Sequence, residues 1–285
     1  MSERLLIYTD LDGSLLDHYS YGFAPAAELL GRLAEHSVPV IPVTSKTRAE
    51  LIPLRVALSN PHPFVVENGA AVFIPEYYFP EPVSGCEVYG DFLCQRFSEP
   101  RGVWQQLLIE LKPLFTNEFI SFSEAGVSGI IEMTGLSPAS AALANQRDFS
   151  EPVYWLGSEN RKQQFIRAAQ RHGANVLEGG RFLHITGQCD KGKALNWLSE
   201  RYRQFNPGNH FTTLAAGDSQ NDLAMLSAAD LAVLIRSPVH PPPVLEHPRL
   251  NITEAMGPDG WNEAVSRLAA PFLRFSDSDY PQGKE

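Results

Sequence analysis

Two acidic motifs, far apart in the sequence, each follow a short apolar run. Asp10-Leu11-Asp12-Gly13-Ser14 comes after residues 5–8, and Gly217-Asp218-Ser219-Gln220-Asn221-Asp222 comes after residues 211–216. Two carboxylates as close as Asp10 and Asp12 repel each other unless a cation lies between them, and Mg²⁺ prefers such oxygen ligands. The first motif alone is equally typical of a turn, and the second alone could cap a helix. Together the two motifs favour a carboxylate site for Mg²⁺.

A second set of residues could bind the oxygens of a phosphate group. Thr44 and the backbone amides of Ser45 and Lys46 stand where a strand-like run ends and a helical pattern begins, a position suited to an anion. Lys191, at the start of another helical pattern, offers a positive charge. Each feature alone is more typical of a helix cap or a solvated lysine. Combined with the carboxylates, they indicate phosphoryl transfer, which depends on positioning and electrostatic stabilisation.

The elements that must position these residues can be read from the hydrophobic pattern. Apolar runs at 5–8, 38–43 and 211–216 predict buried strands, and helical spacing between them predicts helices, among them one at 191–205. Pro39 and Pro42 count against a central position for the second strand, because proline has no N–H to donate. The alternation predicts a doubly wound α/β core with a parallel, Rossmann-like sheet, which binds ligands at the carboxyl ends of its strands.

The middle of the chain does not follow this alternation. It contains strand-like runs at 87–97, 119–122 and 153–156 and helical patterns at 104–115 and 161–172, which predict an inserted α+β domain. We therefore predict a core domain in two parts, an inserted domain and a disordered tail, with bounds of 1–82 and 186–275, 83–185, and 276–285. Asn68-Gly69 between two apolar runs predicts a tight hairpin just before the insertion.

Composition narrows the function classes. The chain has 285 residues, 44% of them hydrophobic, and a formal net charge of −10. This charge argues against nucleic acid or an anionic membrane as a partner. No apolar run is long enough for a membrane span, and the first residues lack the pattern of a signal peptide, so we expect a cytoplasmic protein. The cysteines Cys86, Cys94 and Cys189 lack the spacing of a zinc site or a disulfide framework.

The order of the motifs resembles that of the haloacid dehalogenase (HAD) superfamily of phosphotransferases. The motifs are Asp10-Leu11-Asp12-Gly13, Thr44-Ser45, Lys191-Gly192 and residues 217–222. Ser14 departs from the usual threonine but keeps a hydroxyl. The resemblance implies that Asp10 is the nucleophile and a metal ligand, and that Asp12 is the general acid and base with its carbonyl on the metal. It further implies the remaining roles: phosphate binding by Thr44, Ser45 and Lys191, Mg²⁺ ligation by Asp218, and support of the metal site by Asn221 and Asp222.

The long insertion before Lys191 resembles the cap of the Cof-like branch of this superfamily. Further motifs resemble the mannosyl-3-phosphoglycerate phosphatases across nearly the whole chain; they are 44–48, 67–69, 179–182, 190–193 and 257–261. The resemblance implies hydrolysis of mannosyl-3-phosphoglycerate to phosphate and mannosylglycerate, a compatible solute. The expected partner is thus a small phosphorylated sugar, bound by a monomer or a homodimer.

A substrate with a phosphate and a carboxylate needs local positive charge on an acidic protein. Arg147, Glu151 and Arg181 are the predicted cap residues for the carboxylate and the sugar hydroxyls, since the guanidinium fork binds carboxylates in a bidentate manner. Arg147 is equally compatible with an exposed helix position. His184 alternates with apolar neighbours, which is more typical of a packed strand residue than of a catalyst.

Other functions remain compatible with parts of the pattern. A phosphatase for another sugar phosphate, such as glucosyl-3-phosphoglycerate, would share every core motif. Hydrolytic dehalogenation needs neither Asp12 nor a metal, so Asp12 and Asp218 count against it. A catalytically silent sugar-phosphate-binding protein on the same fold would not need the complete set of acidic and basic residues that this chain retains.

Overall fold

The computed structural model describes residues 2–179 and 181–273. The predicted tail at 276–285 therefore lies outside the described residues. In chain order, the strands are β1 (Ser2–Thr9), β2 (Val40–Pro42), β3 (Phe64–Val66), β4 (Ala71–Pro75), β5 (Glu87–Tyr89), β6 (Phe92–Arg96), β7 (Phe119–Ser121), β8 (Glu151–Trp155), β9 (Asn175–Gly179), β10 (Phe182–Thr186), β11 (Asn209–Gly217), β12 (Leu231–Arg236) and β13 (Leu250–Met256). The helices are α1 (Ala24–Glu35), α2 (Arg48–Ala57), α3 (Arg101–Leu111), α4 (Phe122–Thr134), α5 (Pro138–Ala144), α6 (Glu159–Arg171), α7 (Lys191–Phe205), α8 (Leu223–Ala228) and α9 (Gly257–Ala269).

The core is a five-stranded parallel sheet with the order β13-β12-β11-β1-β2. Side chains of β1 alternate between two buried apolar layers: Leu5 and Ile7 pack on the side of α1 and α9, whereas Leu6 and Tyr8 pack on the side of α7 and α8. A strand covered on both faces reads as a continuous apolar run, which is why the sequence predicted β1 correctly. The doubly wound α/β core is confirmed.

The two prolines near β2 are tolerated because of where this strand lies. β2 is at the edge of the five-stranded sheet, and the carbonyl of Pro39 accepts from the N–H of Ile7 (2.9 Å). The N–H of Val43 donates to Thr9 (2.8 Å), so the nitrogen of Pro42 points the other way. The lack of an N–H at Pro42 therefore removes no backbone hydrogen bond between β2 and β1.

The predicted hairpin around Asn68-Gly69 is confirmed, and it extends further than expected. β3, β4, β6 and β5 form a second, antiparallel sheet in that order. Residues 87–96, which we assigned to the inserted domain, thus pair with the hairpin instead of with the strands that follow. The domain bounds stay a prediction, and this pairing favours a cap that begins after β6.

The inserted region contains its own antiparallel sheet, β7-β8-β10-β9. One face is covered by α3 and α6 through an apolar cluster that includes Trp104 and Phe165. On the other side a small cluster with Phe122 and Ile130 belongs to α4, which the sequence did not predict. Gly126, with a φ of 60° and a ψ of −174°, interrupts that helix and its apolar spacing. An α+β cap on a parallel core confirms the expected fold class.

None of the described helices is long and apolar enough to cross a membrane.

Candidate active site

Asp10 follows β1, which lies between β11 and the edge strand β2, and is 6% exposed. Its N–H donates to the carbonyl of Ala216 at the end of β11 (2.8 Å), which joins the two strand ends that carry the acidic motifs. Gly13 completes the turn with a φ of 80°, and a Cβ at this position would lie 2.7 Å from Oδ2 of Asp218. Only glycine therefore allows the first acidic loop to lie this close to the second.

Three carboxylates, of Asp10, Asp218 and Asp222, converge at this edge of the sheet. One oxygen of each lies within 4.8 Å of the others. Oδ2 of Asp222 accepts from the backbone N–H groups of Asp218 (3.1 Å) and Ser219 (3.0 Å), so Asp222 also shapes the loop after β11. Predicted residues more than two hundred positions apart in the sequence are thus neighbours.

Lys191, the first residue of α7, is fully buried beside these carboxylates. Its ammonium donates to Oδ1 of Asp10 (2.5 Å) and to Oδ1 of Asp222 (2.6 Å). Burial alone would lower the pKa of Lys191, but the charges of Asp10 and Asp222 outweigh it and raise that pKa above its usual value. Lys191 therefore stays charged next to the predicted nucleophile.

The single positive charge of Lys191 does not neutralise the negative charges of the three buried carboxylates. Burial, together with the charges of Asp222 and Asp218, raises the pKa of Asp10 well above its usual value. Burial and the charge of Asp222 also raise the pKa of Asp218 to about 6. Carboxylates that are this costly to ionise, and whose oxygens converge, fit a divalent cation with a preference for oxygen ligands.

The Thr44–Lys46 segment follows β2 at the same edge of the sheet. Oγ1 of Thr44 accepts from the N–H of Lys46 (3.1 Å), so this amide has an internal partner, contrary to our expectation of a free anion donor. Thr44 is 1% exposed and lies behind the cavity surface, whereas Ser45 lines it. Ser45 and the side chain of Lys46 are thus more directly accessible from the cavity than Thr44 is.

Lys46 is a residue that our sequence analysis considered only for its amide. Its ammonium forms an ion pair with Oδ2 of Asp12 (2.8 Å) and lies 4.9 Å from the centre of the Tyr21 ring. Although burial opposes it, Asp12 and Glu50 raise the pKa of Lys46. Oδ1 of Asp12 is buried without a hydrogen-bond partner among the described residues. The sequence feature that could have indicated a role for the Lys46 side chain is its position two residues after Thr44.

The turn at Glu67–Gly69 joins the core to the cap. All three residues have a positive φ, of 51° at Glu67, 60° at Asn68 and 92° at Gly69. The N–H groups of Glu67 and Asn68 donate to the carbonyls of Lys46 (3.0 Å) and Thr44 (2.9 Å). The side-chain oxygen of Asn68 accepts from Asn221 (2.9 Å). This turn therefore braces the Thr44–Lys46 segment and the loop after β11 together.

Glu67 extends the same connection into the cap. Its fully buried carboxylate accepts from the N–H of Asp148 (2.8 Å) and the hydroxyl of Ser150 (2.5 Å), and it pairs with Arg147 at 3.3 Å. Arg147 also donates to the carbonyl of Ser45 (2.9 Å) and lines the cavity. Arg147 is thus a buried bridge between cap and core, not an exposed helix residue.

The two other predicted cap residues lie in different places. Arg181 is exposed, lines the cavity and donates to the carbonyl of Met133 (3.0 Å). Glu151 is fully buried, pairs with Arg101 at 2.5 Å and accepts from the N–H of Ser123 (2.7 Å). Glu151 does not line the cavity, because its carboxylate is occupied inside the cap. The expectation that Glu151 meets the substrate is therefore corrected.

A cavity of about 710 Å³ lies between the core site and the cap. Its core side includes Asp10, Asp12 and Asp218, and its cap side includes Arg147 and Arg181. Further cavity residues that we did not assign to the site are Tyr21, Lys46, His184 and His240. Nε2 of His240 lies 3.5 Å from Oδ2 of Asp218. His240 belongs to the proline-rich loop 238–248, where no motif indicated a function.

Comparisons with known proteins agree with this geometry. The family model for sucrose-6F-phosphate phosphohydrolase matches residues 161–244. A Methanococcoides burtonii protein named glucosyl-3-phosphoglycerate/mannosyl-3-phosphoglycerate phosphatase is 36% identical over 266 residues, which are 92% of this chain and 96% of that protein.

Two solved phosphatases of the HAD superfamily share the fold. One, from Bacteroides thetaiotaomicron, has a TM-score of 0.64 and 14% identity, and the alignment covers 95% of each chain. The other, a subclass IIB sugar phosphatase, has a TM-score of 0.60 and 13% identity, over 93% of this chain and 98% of that chain.

The fold and the site define a phosphatase of the HAD superfamily, a phosphoric monoester hydrolase. Within that superfamily, the chain belongs to the family of the Methanococcoides burtonii glucosyl-3-phosphoglycerate/mannosyl-3-phosphoglycerate phosphatase.

Proposed function

We propose that this protein hydrolyses mannosyl-3-phosphoglycerate to mannosylglycerate and phosphate in a Mg²⁺-dependent reaction. The observation that carries the proposal is the position of Asp10, which is held by Lys191 at 2.5 Å at one end of a cavity that core and cap share. The name of the 36% identical relative supports glycosyl-3-phosphoglycerates as the substrate class. Glucosyl-3-phosphoglycerate is the second candidate on the same ground.

In the proposed reaction a carboxylate oxygen of Asp10 attacks phosphorus, and the bond from phosphorus to the alcohol oxygen breaks. Asp12 gives that oxygen a proton. Asp12 then takes a proton from a water molecule that attacks the aspartyl-phosphate, so that phosphate leaves and Asp10 is regenerated. The unpartnered Oδ1 of Asp12 is the available site for this proton, while Lys46 holds Oδ2.

The chain's own cations would stabilise the negative charge of the phosphoryl group. These cations are Lys191, which lies beside Asp10, and Lys46, which lines the cavity next to Ser45. The carboxylates of Asp10 and Asp218 and the backbone carbonyl of Asp12 would hold Mg²⁺, with Asn221 and Asp222 supporting them, and the cation would supply electrostatic stabilisation of the transferring phosphoryl group. The convergence of three buried carboxylates supports this assignment.

The cap would bind the alcohol part of the substrate. Arg147 and Arg181 both line the cavity opposite the core site, and an arginine suits the carboxylate of a glycerate group. Because Arg147 is already bonded to Glu67 and Ser45, it is held in place before the substrate arrives. Arg181 is exposed and is the freer of the two side chains.

A phosphate-release screen tests the proposal. The purified protein is assayed with mannosyl- and glucosyl-3-phosphoglycerate, 3-phosphoglycerate, mannose 6-phosphate and sucrose 6-phosphate, each with Mg²⁺ and with a chelator. We expect the highest kcat/KM for mannosyl-3-phosphoglycerate and loss of turnover with the chelator. A higher kcat/KM for a substrate without the glycerate group would contradict the proposed substrate, and full activity in chelator would contradict the metal requirement.

A further inference from the structure

His184 lies on β10 on the face of the cap sheet that meets the cavity. Its neighbours Leu183 and Ile185 point to the opposite face, into the apolar cluster of Trp104 and Phe165. Because side chains alternate along a strand, His184 points away from that cluster, and it lines the cavity together with Phe182. The imidazole is thus part of the surface that the substrate would meet.

Among the residues that the structure describes, the imidazole of His184 has no hydrogen-bond partner. His184 is 7% exposed, and its Nδ1 is buried without a hydrogen bond to any residue that the structure describes. Its Nε2 lies toward Gly179, another cavity residue: a Cβ at Gly179 would be only 3.3 Å away. An unpaired buried polar group costs about 1–3 kcal/mol, and an apolar side chain would avoid that cost. Packing alone therefore does not account for a histidine at this position.

The charge state of the ring limits what it could bind. Burial, with the positive charges of Arg147 and Lys191, lowers the pKa of His184 to about 3. A neutral imidazole has one donor and one acceptor nitrogen, which match a hydroxyl group. The anionic groups of a substrate have Lys46, Arg147 and Arg181 of the cavity as partners instead.

We propose that His184 is a specificity-determining residue, which forms a hydrogen bond through Nε2 to an uncharged hydroxyl in the alcohol part of the substrate. The geometry behind this is a buried imidazole on the wall of the shared cavity that has no hydrogen-bond partner among the described residues, with its Nε2 beside Gly179, which has no side chain to cover it. The inference rests on the proposed function, in which that hydroxyl belongs to the sugar. It assigns no part in the bond-breaking steps to His184.

The test compares a sugar substrate with an aryl phosphate that has no hydroxyl. For His184→Leu we expect kcat/KM for the best glycosyl-phosphoglycerate to fall about tenfold, the size of one neutral hydrogen bond of about 1.4 kcal/mol, whereas kcat/KM for p-nitrophenyl phosphate stays within about twofold. His184→Gln, which keeps a donor and an acceptor, should recover part of the loss. The free energy of unfolding of His184→Leu should not fall, because no protein hydrogen bond is lost.

His62→Leu is a matched control. His62 is a partly buried histidine, but its Nδ1 bonds to the hydroxyl of Tyr78 (2.7 Å), and His62 does not line this cavity. We expect this variant to be less stable than the wild type, with an unchanged ratio of the two kcat/KM values. The two variants thus separate loss of packing from loss of substrate recognition.

Two results would overturn the inference about His184: an equal fall for both substrates, or no fall for the sugar substrate. Failure of the proposed function would be seen in a different measurement, the substrate preference of the wild type. If the wild type prefers another sugar phosphate, the proposed substrate is wrong, and the His184 comparison is made with that sugar phosphate. A wild type that hydrolyses the aryl ester and no sugar phosphate overturns both.

Discussion

Asp10, which is 6% exposed at one end of the shared cavity, meets three charged groups. Lys191 favours its ionised form, whereas Asp218 and Asp222 oppose it, and burial adds to their effect. A nucleophilic carboxylate must be ionised to attack, so the balance among these groups decides how much of the enzyme is competent. The proposed cation would shift that balance in the same direction as Lys191.

Asp10→Asn should abolish turnover. The substitution removes the nucleophilic carboxylate with little change in volume, so we expect kcat to fall by at least about a thousandfold while the fold persists. Phosphate release and circular dichroism measure the two effects. Asp91→Asn, at an exposed position between β5 and β6, is the control and should keep wild-type activity. Turnover of Asp10→Asn near the wild-type value would refute the proposed mechanism.

Some residues of the site could be predicted from the sequence and others could not. Asp10, Asp218 and Asp222 follow or closely flank strongly apolar strands, and parallel strands place their carboxyl ends together. Lys46 and His240 reach the cavity from loops whose paths depend on contacts with other segments. The prediction that Glu151 meets the substrate was wrong because the sequence does not reveal that Arg101 pairs with its carboxylate inside the cap.

At the scale of elements, the Glu67–Gly69 turn holds segments from three parts of the chain. Its backbone bonds to the Thr44–Lys46 segment, Asn68 bonds to Asn221, and the Glu67 carboxylate binds the cap loop at 148–150. Three consecutive residues with positive φ are rare, and such conformations persist only where surrounding contacts determine them. The sequence predicted a turn here, but not its long-range bonds, because these depend on distant residues.

Gly69→Ala should disrupt this junction. A Cβ at Gly69 would lie 2.2 Å from the backbone oxygen of Asp190, next to Lys191, and the φ of 92° adds strain. We expect a loss of at least about 3 kcal/mol in the free energy of unfolding, with reduced activity as Lys191 shifts. Urea unfolding and phosphate release measure both.

Gly90→Ala is the matched control for that prediction. Gly90 also has a positive φ, of 62°, but an added Cβ meets nothing within 4 Å. Only the backbone strain remains, so a loss of about 1 kcal/mol and normal activity are expected. Equal losses for the two alanine variants would show that the contact with Asp190 does not matter.

Glu67→Gln tests the connection between core and cap. The amide keeps the shape of the side chain but leaves the buried Arg147 without its carboxylate, which should cost about 3 kcal/mol of unfolding free energy. Glu87→Gln breaks an exposed pair with Arg96 and should cost less than about 1 kcal/mol. Chemical denaturation of both variants measures the difference. A cost below that of Glu87→Gln would mean that the Glu67 carboxylate does not support the fold.

At the scale of the whole molecule, the buried carboxylates link the stability of the fold to pH, and they would link it to binding of the proposed cation. The pKa of Asp218 in the folded protein is about 6, above the value of about 3.9 of an unfolded aspartate. The folded state therefore binds this proton more tightly, and the resulting stabilisation is complete below about pH 4 and lost as the pH rises through about 6. A cation that binds the ionised site would reverse the loss.

We expect the metal-free protein to lose unfolding free energy between about pH 4 and pH 7, and Asp218→Asn to show a smaller loss over that range. Near pH 7, Mg²⁺ at about one hundred times its dissociation constant should add about 2.7 kcal/mol to the wild type and much less to Asp218→Asn. Thermal unfolding in chelator and in Mg²⁺ measures both effects. The same pH profile in the two proteins without metal would contradict the role of Asp218.

The pairing of β1 with β11 has a consequence for synthesis of the chain. β1 is translated before β11, and Leu5 to Thr9 take their places beside residues 212–216, which are translated only after the whole cap. Until then one edge of an apolar strand has no partner, a state that invites pairing with other chains. The nascent protein therefore depends on late completion of its central sheet, and a chaperone that shields the first strand during translation would raise the yield of active enzyme.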